Sequence, residues 1–166
     1  MKDVTPESVQ ADFDDPLKRY EPASYETPLQ EVLAEETVTA IDAKPFPQIE
    51  PSATVRDAVK ELHDLKVASL LVTEGNKLKG IFTERDVLEN VAERFGAVAD
   101  EPVRTVMTSE PVVVYECDPI AGALAAIAVG GYRHVPVLNL NEEVVGIVSP
   151  RRLFDFLDRR FPSPVR

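Results

Sequence analysis

The apolar positions of this chain follow two alternating periods, and the alternation occurs twice. Val55, Ala58, Val59, Leu62 and Leu65 are spaced i, i+3, i+4, i+7 and i+10, which makes one face of a helix that Thr54 can cap. Ser69 to Thr73 then suits a strand, Glu74-Gly75-Asn76 a turn, and Leu78 to Phe82 a second strand, after which Thr83 opens a helix running to about Phe95-Gly96. The second half repeats the order. Asp118 is placed as a cap with Pro119 at the first helical position of an Ala-rich helix to Val129, and Gly130-Gly131 stop it. A hairpin of Val135 to Leu138 and Glu143 to Val148 leads into a last helix from Ser149-Pro150. Ahead of both copies, Leu29, Val32 and Leu33 predict a short helix from Pro28, Val38 to Ile41 an extended piece, and Lys44-Pro45-Phe46-Pro47 a stiff connector.

Ala58, Val59 and Leu62 recur 65 residues later as Ala123, Leu124 and Ile127, whereas Gly80-Ile81-Phe82-Thr83 recurs 66 later as Gly146-Ile147-Val148-Ser149. An offset this even is an internal duplication. Two like units are expected to pack about an approximate twofold axis, with clefts beside it that suit a ligand. The units are read as 29–97 and 98–166, preceded by an acidic, Pro-rich arm over 1–28 that is too poor in apolar surface to fold alone. Phe13, Leu17, Tyr20 and Tyr25 are candidates to pin the arm to the body. Leu153, Phe154, Phe156 and Leu157 give the last helix more apolar surface than a solvent-facing terminal helix needs, so some of it is expected to meet another chain.

Composition narrows the function. With 44% hydrophobic residues in 166, the chain has enough apolar side chains for a real core. It has no apolar run near the roughly 20 residues that span a bilayer and no charged-then-apolar start of a secretion signal, so a cytoplasmic protein without membrane insertion is expected. A net charge of −11 repels phosphate backbones and anionic lipid, which argues against nucleic acid as a partner. Cys117 is the single cysteine; it is read as structural, and Glu116 and Asp118 beside it would raise a thiol pKa. The basic residues of the second half cluster at Arg133-His134 and Arg151-Arg152.

Thr83-Glu84-Arg85-Asp86 sets a hydroxyl and a carboxylate three residues apart at a helix start. Capping is its first explanation, and a carboxylate that accepts from ribose hydroxyls is a compatible second one. Gly131-Tyr132-Arg133-His134 places a guanidinium and an imidazole just before a strand; either alone reads as a surface residue, but together after a Gly-Gly turn they suit phosphate oxygens. Asp14-Asp15 and Glu35-Glu36 have no third ligand at fixed spacing and read as solvated charge rather than a metal site. His63 falls on the exposed side of its helix, and no nucleophile is paired with a base, so no catalytic residue is assigned.

Met107-Thr108, Pro111 to Val114, the Ala/Leu helix, Gly131 to Val137 and Gly146-Ile147-Val148-Ser149 closely resemble a CBS motif of cystathionine-beta-synthase-type domains, and Ala58 to Asp86 resembles a second. The resemblance covers roughly residues 29 to 158. It implies an α+β tandem pair, a Bateman module of two βαββα units, whose clefts bind an adenine nucleotide such as AMP, ADP or ATP as a regulatory ligand rather than a cofactor. It further implies a non-enzymatic regulatory role, a homodimer formed face to face, and a regulated partner that the sequence leaves unspecified. Thr83 and Asp86 match the family's ribose-binding Ser/Thr-x-x-Asp pattern. Arg133 and His134 match its phosphate-facing stretch, with Ser149, Arg151 and Arg152 as further phosphate contacts. In the second copy the acidic position is Arg152, so one nucleotide site is expected instead of two, and Arg152 is expected to reach across to the phosphates of a ligand held by Asp86. Two alternatives stand beside this reading: a degenerate pair that serves only as a dimerisation or adaptor module, and a sensor of an adenosyl compound such as S-adenosylmethionine.

Overall fold

The computed structural model describes Glu21 and residues 23–162. Phe13, Leu17, Tyr20 and the Asp12, Asp14 and Asp15 carboxylates lie outside the described residues. The chain begins with helix α1 (Pro28–Glu35), capped by Thr27 and Gln30 in a reciprocal box, and a 3₁₀ turn at Val38–Ala40. Strand β1 (Gln48–Ile49), helix α2 (Val55–Leu65), strand β2 (Ser69–Glu74) and strand β3 (Lys77–Thr83) follow, then a helical turn α3 (Glu84–Asp86). After α4 (Phe95–Val98) and a second 3₁₀ turn at Val103–Thr105 come β4 (Thr108–Ser109), β5 (Val114–Tyr115), α5 (Ile120–Ala128), β6 (Val135–Leu138), β7 (Val144–Val148) and α6 (Pro150–Arg160). The strands form two sheets, β1-β2-β3-β4 and β5-β6-β7.

The duplication seen in the sequence is repeated in the pairing register. Both hairpins carry a bulge at the same place, between Val72 and Thr73 in one and between Val137 and Leu138 in the other. The change of offset from 65 to 66 comes from the turns that follow. Glu74 pairs with Lys77 around the two residues Gly75-Asn76, whereas Asn139 N donates to Glu143 O at 2.9 Å around Leu140-Asn141-Glu142, with Glu142 at φ 59°. The two hairpin tips meet: Lys77 bridges Glu143, its own counterpart, and Val144 N donates to Asn76 O at 2.9 Å. Contact between equivalent residues is what a twofold axis requires, so the axis passes there. Leu71, Ile81 and Ile147 bury against one another along it, with Phe46, Leu78 and Val144 at the edges.

Chain order and packing diverge at the segment ahead of each unit. Helix α1, the first 3₁₀ turn and Ile41 bury Val32, Val38 and Ile41 in the core of the second unit, among Ile120, Ala123, Val135 and Val148. The segment 95–106 mirrors this by placing Val98, Val103 and Val106 in the first core with Val55, Leu70 and Phe82. The exchange is reciprocal down to single hydrogen bonds: Ile120 N donates to Glu36 O at 3.0 Å, and Val55 N donates to Glu101 O at 2.9 Å. Arg56 secures the second arm by bonding Asp100 at 3.0 Å and lying 5.5 Å from the Phe95 ring centre. Each unit therefore lends the other an element of core, which makes the pair one folding unit.

Four local expectations change. Val38–Ala40 is a 3₁₀ turn and not an extended piece; it matches Val103–Thr105, and both bury a valine that a strand here would turn away. The single helix expected from Thr83 to Phe95 breaks into α3, a π turn at Val87–Val91, a 3₁₀ turn at Ala92–Arg94 and α4. The widened turn buries Val91 and brings Asn90 Nδ2 to Val106 O at 3.3 Å, which ties this helix to the exchanged segment. Asp118 does not cap α5, because its Oδ2 accepts from Tyr115 N at 2.7 Å and Pro119 stands at the cap position. Cys117 is exposed rather than part of a core.

Candidate functional site

Strand β3 ends with its side chains buried and delivers Thr83 to the start of α3, where the capping expected from the sequence is present in full. Thr83 Oγ1 accepts from Asp86 N at 3.3 Å, while Thr83 N and Oγ1 donate to Asp86 Oδ2 at 2.8 and 2.6 Å. Asp86 is 5% exposed, and its other oxygen accepts from Thr108 Oγ1 at 2.8 Å. Thr108 has no role in the sequence reading beyond its place in the second motif, because its side chain meets Asp86 only after β4 pairs with β3. A carboxylate offers about four lone-pair positions. Three are engaged here, which leaves Oδ1 one position for an outside donor and fixes the orientation of the group.

Close backbone approach makes this corner possible. A Cβ on Gly80 would lie 2.7 Å from Thr108 O and 2.6 Å from Met107 Sδ, so only glycine lets β4 come down on β3 here. Gly146 does the same in the second unit, where Ala43 Cβ would be 2.4 Å away.

Arg133 and His134 lie in the turn after Gly131, whose φ of 71° ends the path from α5. His134 is half-buried, and burial is the main reason its pKa falls below 6.5; Glu84 on α3 opposes that, and Arg133 and Arg152 add to it. Glu84 belongs to the first unit and His134 to the second, so the charge of α3 is felt across the two units at His134. The sign of the pH effect follows from the lowered value. Above pH 6.5 the imidazole is neutral in both states and its contribution is fully present; as pH falls through the folded pKa, the unfolded chain takes a proton that the folded chain resists, and stability is lost. The stability of wild type relative to His134→Gln is therefore expected to drop between pH 7.5 and 5.5 in urea titrations, and a difference constant with pH would refute the assignment.

Ser149 caps α6 as Thr83 caps α3, accepting from Arg152 N at 3.4 Å. Arg152 makes its protein hydrogen bonds within its own corner. Its Nη1 donates to Ile147 O at 3.1 Å and its Nη2 to Pro45 O in the connector, since a guanidinium standing where a carboxylate stands in the first unit seeks carbonyls instead of donors. Burial lowers its pKa, and Asp42 partly restores it. Ser149, Arg151 and Arg152 line a cavity of about 330 Å³ together with Asp42, Lys44, Asp155 and Arg159. None of Thr83, Asp86, Arg133 or His134 is among its walls. Of the paired acids, Glu35 accepts from Tyr25 Oη, and Glu36 is ion-paired with Arg160 at 2.6 Å. His63 is solvent-facing.

The sequence profile of the CBS domain matches residues 38–93 and 103–159. The chain belongs to the CBS-domain family. Both matches begin at the valine of a 3₁₀ turn, so the family's repeat starts with the exchanged segment. An uncharacterized 17.7 kDa protein of Acidianus ambivalens is 34% identical over 121 residues, spanning 70% of this chain and 72% of that one. The CBS domain-containing protein CBSCBSPB1 of Arabidopsis thaliana is 28% identical over 134 residues, and there the match takes up 80% of this chain but only 25% of the relative. Among solved structures, the CBS domain NE2398 superposes with a TM-score of 0.65 at 28% identity, covering 72% of this chain and 95% of that one. The CBS domain protein PAE2072 from Pyrobaculum aerophilum, complexed with AMP, gives 0.64 at 28% identity over 70% and 89%. The fold is thus an α+β tandem CBS pair. Among the described residues no helix is long and apolar enough to cross a membrane.

Proposed function

We propose that this CBS pair is a regulatory module that binds one adenine nucleotide at the corner of α3 and signals through the geometry of its two units, without catalysing a reaction. The observation that carries the reading is the approach of the second unit's Arg133-His134 turn to the first unit's α3. It supports a ligand that meets Thr83 and Asp86 with its ribose and Arg133 and His134 with its phosphates, since Glu84, the residue after Thr83, acts on the charge of His134. Asp86 Oδ1 takes one ribose hydroxyl through its remaining lone pair, and Arg133 forks onto phosphate oxygens. Phosphate charge next to His134 favours its protonated form, so the imidazole adds a donor on binding. The AMP complex of the 28%-identical PAE2072 supports the ligand class. A ligand of this kind shifts the geometry only by its difference in affinity for the two arrangements.

Titration calorimetry with AMP, ADP and ATP tests the reading. Saturable binding near one per chain supports it; no heat with any of the three leaves the adaptor role. S-adenosylmethionine displacing AMP at equal concentration would move the assignment to an adenosyl ligand, which has no phosphate for Arg133 and gains little from it.

The module is proposed to act as a homodimer through the two helices at its capped corners. Leu88 and Phe154 stand five residues after Thr83 and Ser149, and both are exposed, at 73% and 69%. Each is flanked by an i,i+4 ion pair, Arg85 with Glu89 and Arg151 with Asp155, so the surface repeats the internal symmetry. Leu153 and Phe156, expected at such an interface, are buried in their own core; Phe154 alone of the three is free to contribute. Light scattering should give twice the 18.3 kDa chain mass for wild type and a monomer for Phe154→Glu combined with Leu88→Glu. A double variant that stays dimeric would place the interface elsewhere.

A further inference from the structure

The internal twofold allows the helices of the two capped corners to be compared residue by residue, at an offset of 66. In the second unit the helix is regular: α6 runs unbroken over Pro150–Arg160, with Leu153 and Phe156 buried and Leu157 half-buried. Their counterparts are Val87, Asn90 and Val91. An unbroken helix in the first unit would aim the Asn90 amide at the place that Phe156 fills in the second, where its donors and its carbonyl find a core instead of partners. The π turn at Val87–Val91 avoids this. Ala92 N donates to Val87 O, one residue farther back than in an α-helix, and Val91 turns inward to 1% exposure. Asn90 is left at the surface, where its Nδ2 donates to Val106 O at 3.3 Å and its own carbonyl accepts from Arg94 Nε at 3.0 Å.

The bond from Asn90 closes a ring. Val106 stands just ahead of β4, where Thr108 Oγ1 donates to Asp86 Oδ1 at 2.8 Å, and Asp86 leads through the π turn back to Asn90. We propose that Asn90 is a positioning residue that couples the corner of Asp86 to the exchanged segment 95–106, so that a ligand which fastens Asp86 fastens the segment as well. The helix has two registers to choose between, π-turned with Asn90 on Val106 O, and regular with that bond open. Such discrete alternatives are what coupling between sites requires. The bond to Val106 helps to seat Thr108 on Asp86, and a ligand that takes the remaining position of Oδ1 therefore favours the π-turned register. From the segment the change reaches α2: Val98, Val103 and Val106 pack with Val55, and Arg56 holds Asp100 at 3.0 Å and lies over the Phe95 ring.

The second unit is the comparison within the same chain. There Phe156 is buried in the core, Arg152 stands for Asp86 and bonds to Ile147 O and Pro45 O, and Ala43 stands for Thr108. Neither the amide nor the hydroxyl that close the ring has a counterpart. The corner that keeps its Thr83-x-x-Asp86 pair is thus the one that also carries the ring. The ligand step of this inference rests on the nucleotide reading; the ring and the register of the helix do not.

Hydrogen exchange of the whole chain, without and with saturating AMP, tests it on Asn90→Leu and Asn90→Asp. Leucine fits the place of Phe156 and should restore a regular helix; aspartate keeps the polar shape but has no amide to give Val106 O. Without ligand, both variants are expected to speed exchange of the Val106 and Met107 amides, which bond to Val103 O, by about tenfold. Wild-type rates in both would overturn the ring, and Asn90→Asp decides alone if leucine prevents folding. With AMP, wild type is expected to slow exchange across 95–106 about tenfold, and by reciprocity both variants should bind AMP about tenfold more weakly. Saturated, they should protect the Thr83–Asp86 corner and not the segment. Equal protection of the segment in the variants, or none in AMP-bound wild type, would overturn the coupling. AMP that fails to bind wild type removes the nucleotide reading instead. The coupling is then read from Thr108→Val, which opens the far side of the ring and should speed exchange of the Ala92 amide about tenfold; an unchanged rate there would overturn it.

Discussion

Asp86→Ala is expected to abolish the heat of AMP binding and to destabilise the fold by about 2–4 kcal/mol in urea unfolding. The stability loss follows from three hydrogen bonds to one buried carboxylate. Alanine removes the side-chain half of the reciprocal box at α3 and leaves Thr83 N and the hydroxyls of Thr83 and Thr108 without their acceptor; Thr83 is half-buried, and only the exposed Thr108 can turn to water at little cost. Because a damaged corner could lose ligand for structural reasons, Asp86→Asn separates the effects. The amide keeps the shape and one acceptor for Thr83 while losing the charge, so it should recover most of the stability but still bind AMP at least about tenfold more weakly, a loss of roughly 1.4 kcal/mol or more. Asparagine binding AMP like wild type would remove Asp86 from the ligand's contacts and leave it a capping residue alone.

Gly80→Ala and Gly146→Ala should each cost about 2–3 kcal/mol, the upper range for forcing atoms into a packed site. In a chain of this length that is a fall in melting temperature of about 5–10 °C. At Gly80 the obstruction includes a backbone carbonyl 2.7 Å away, which cannot swing aside; at Gly146 it is the Ala43 methyl at 2.4 Å with Ala43 O at 3.1 Å behind it. Both contacts belong to exchanged segments, so the damage should appear as loosening of those segments in hydrogen exchange before global unfolding. Gly122→Ala supplies the opposite sign. That glycine is exposed in α5, has no atom within 4 Å of an added Cβ, and should gain about 0.5–1 kcal/mol as alanine. A Gly80 or Gly146 variant as stable as wild type would mean that the connecting strands shift freely, against the tight pairing that places Thr108 on Asp86.

Local signals in the sequence predicted what they physically control. Periodicity placed α2 and both hairpins within a residue or two, Thr83 was legible as a cap from the carboxylate three residues on, and Ser149-Pro150 as the start of the last helix. The same signals erred where tertiary demand overrode them. A run such as Val38-Thr39-Ala40-Ile41 reads as strand by composition, yet the other unit's core needs both apolar ends on one side, which a 3₁₀ turn provides. Leu153 and Phe156 looked like surplus because the sequence does not show that α1, arriving from the start of the chain, packs into the same core.

By itself the sequence determined the duplication, the type and order of most elements, the single intact Thr83-x-x-Asp86 pair and the sign change at Arg152. These are properties of residue identity and spacing, carried within one element or by comparison of two copies. Only the tertiary structure decided that the leading segments are exchanged between units, that Thr108 completes the bonding of Asp86, that His134 stands near Glu84, and that Arg152 turns to Pro45 and Ile147 instead of crossing the axis. Thr108 and Asp86 are 22 positions apart and Arg152 and Pro45 107, joined by hydrogen bonds and burial that exist only once the sheets have paired; Arg152 to Ile147 is the exception, a local bond chosen by the distant connector. The direction in which a long side chain turns is set by which unsatisfied partner lies within reach, and reach is a property of the fold.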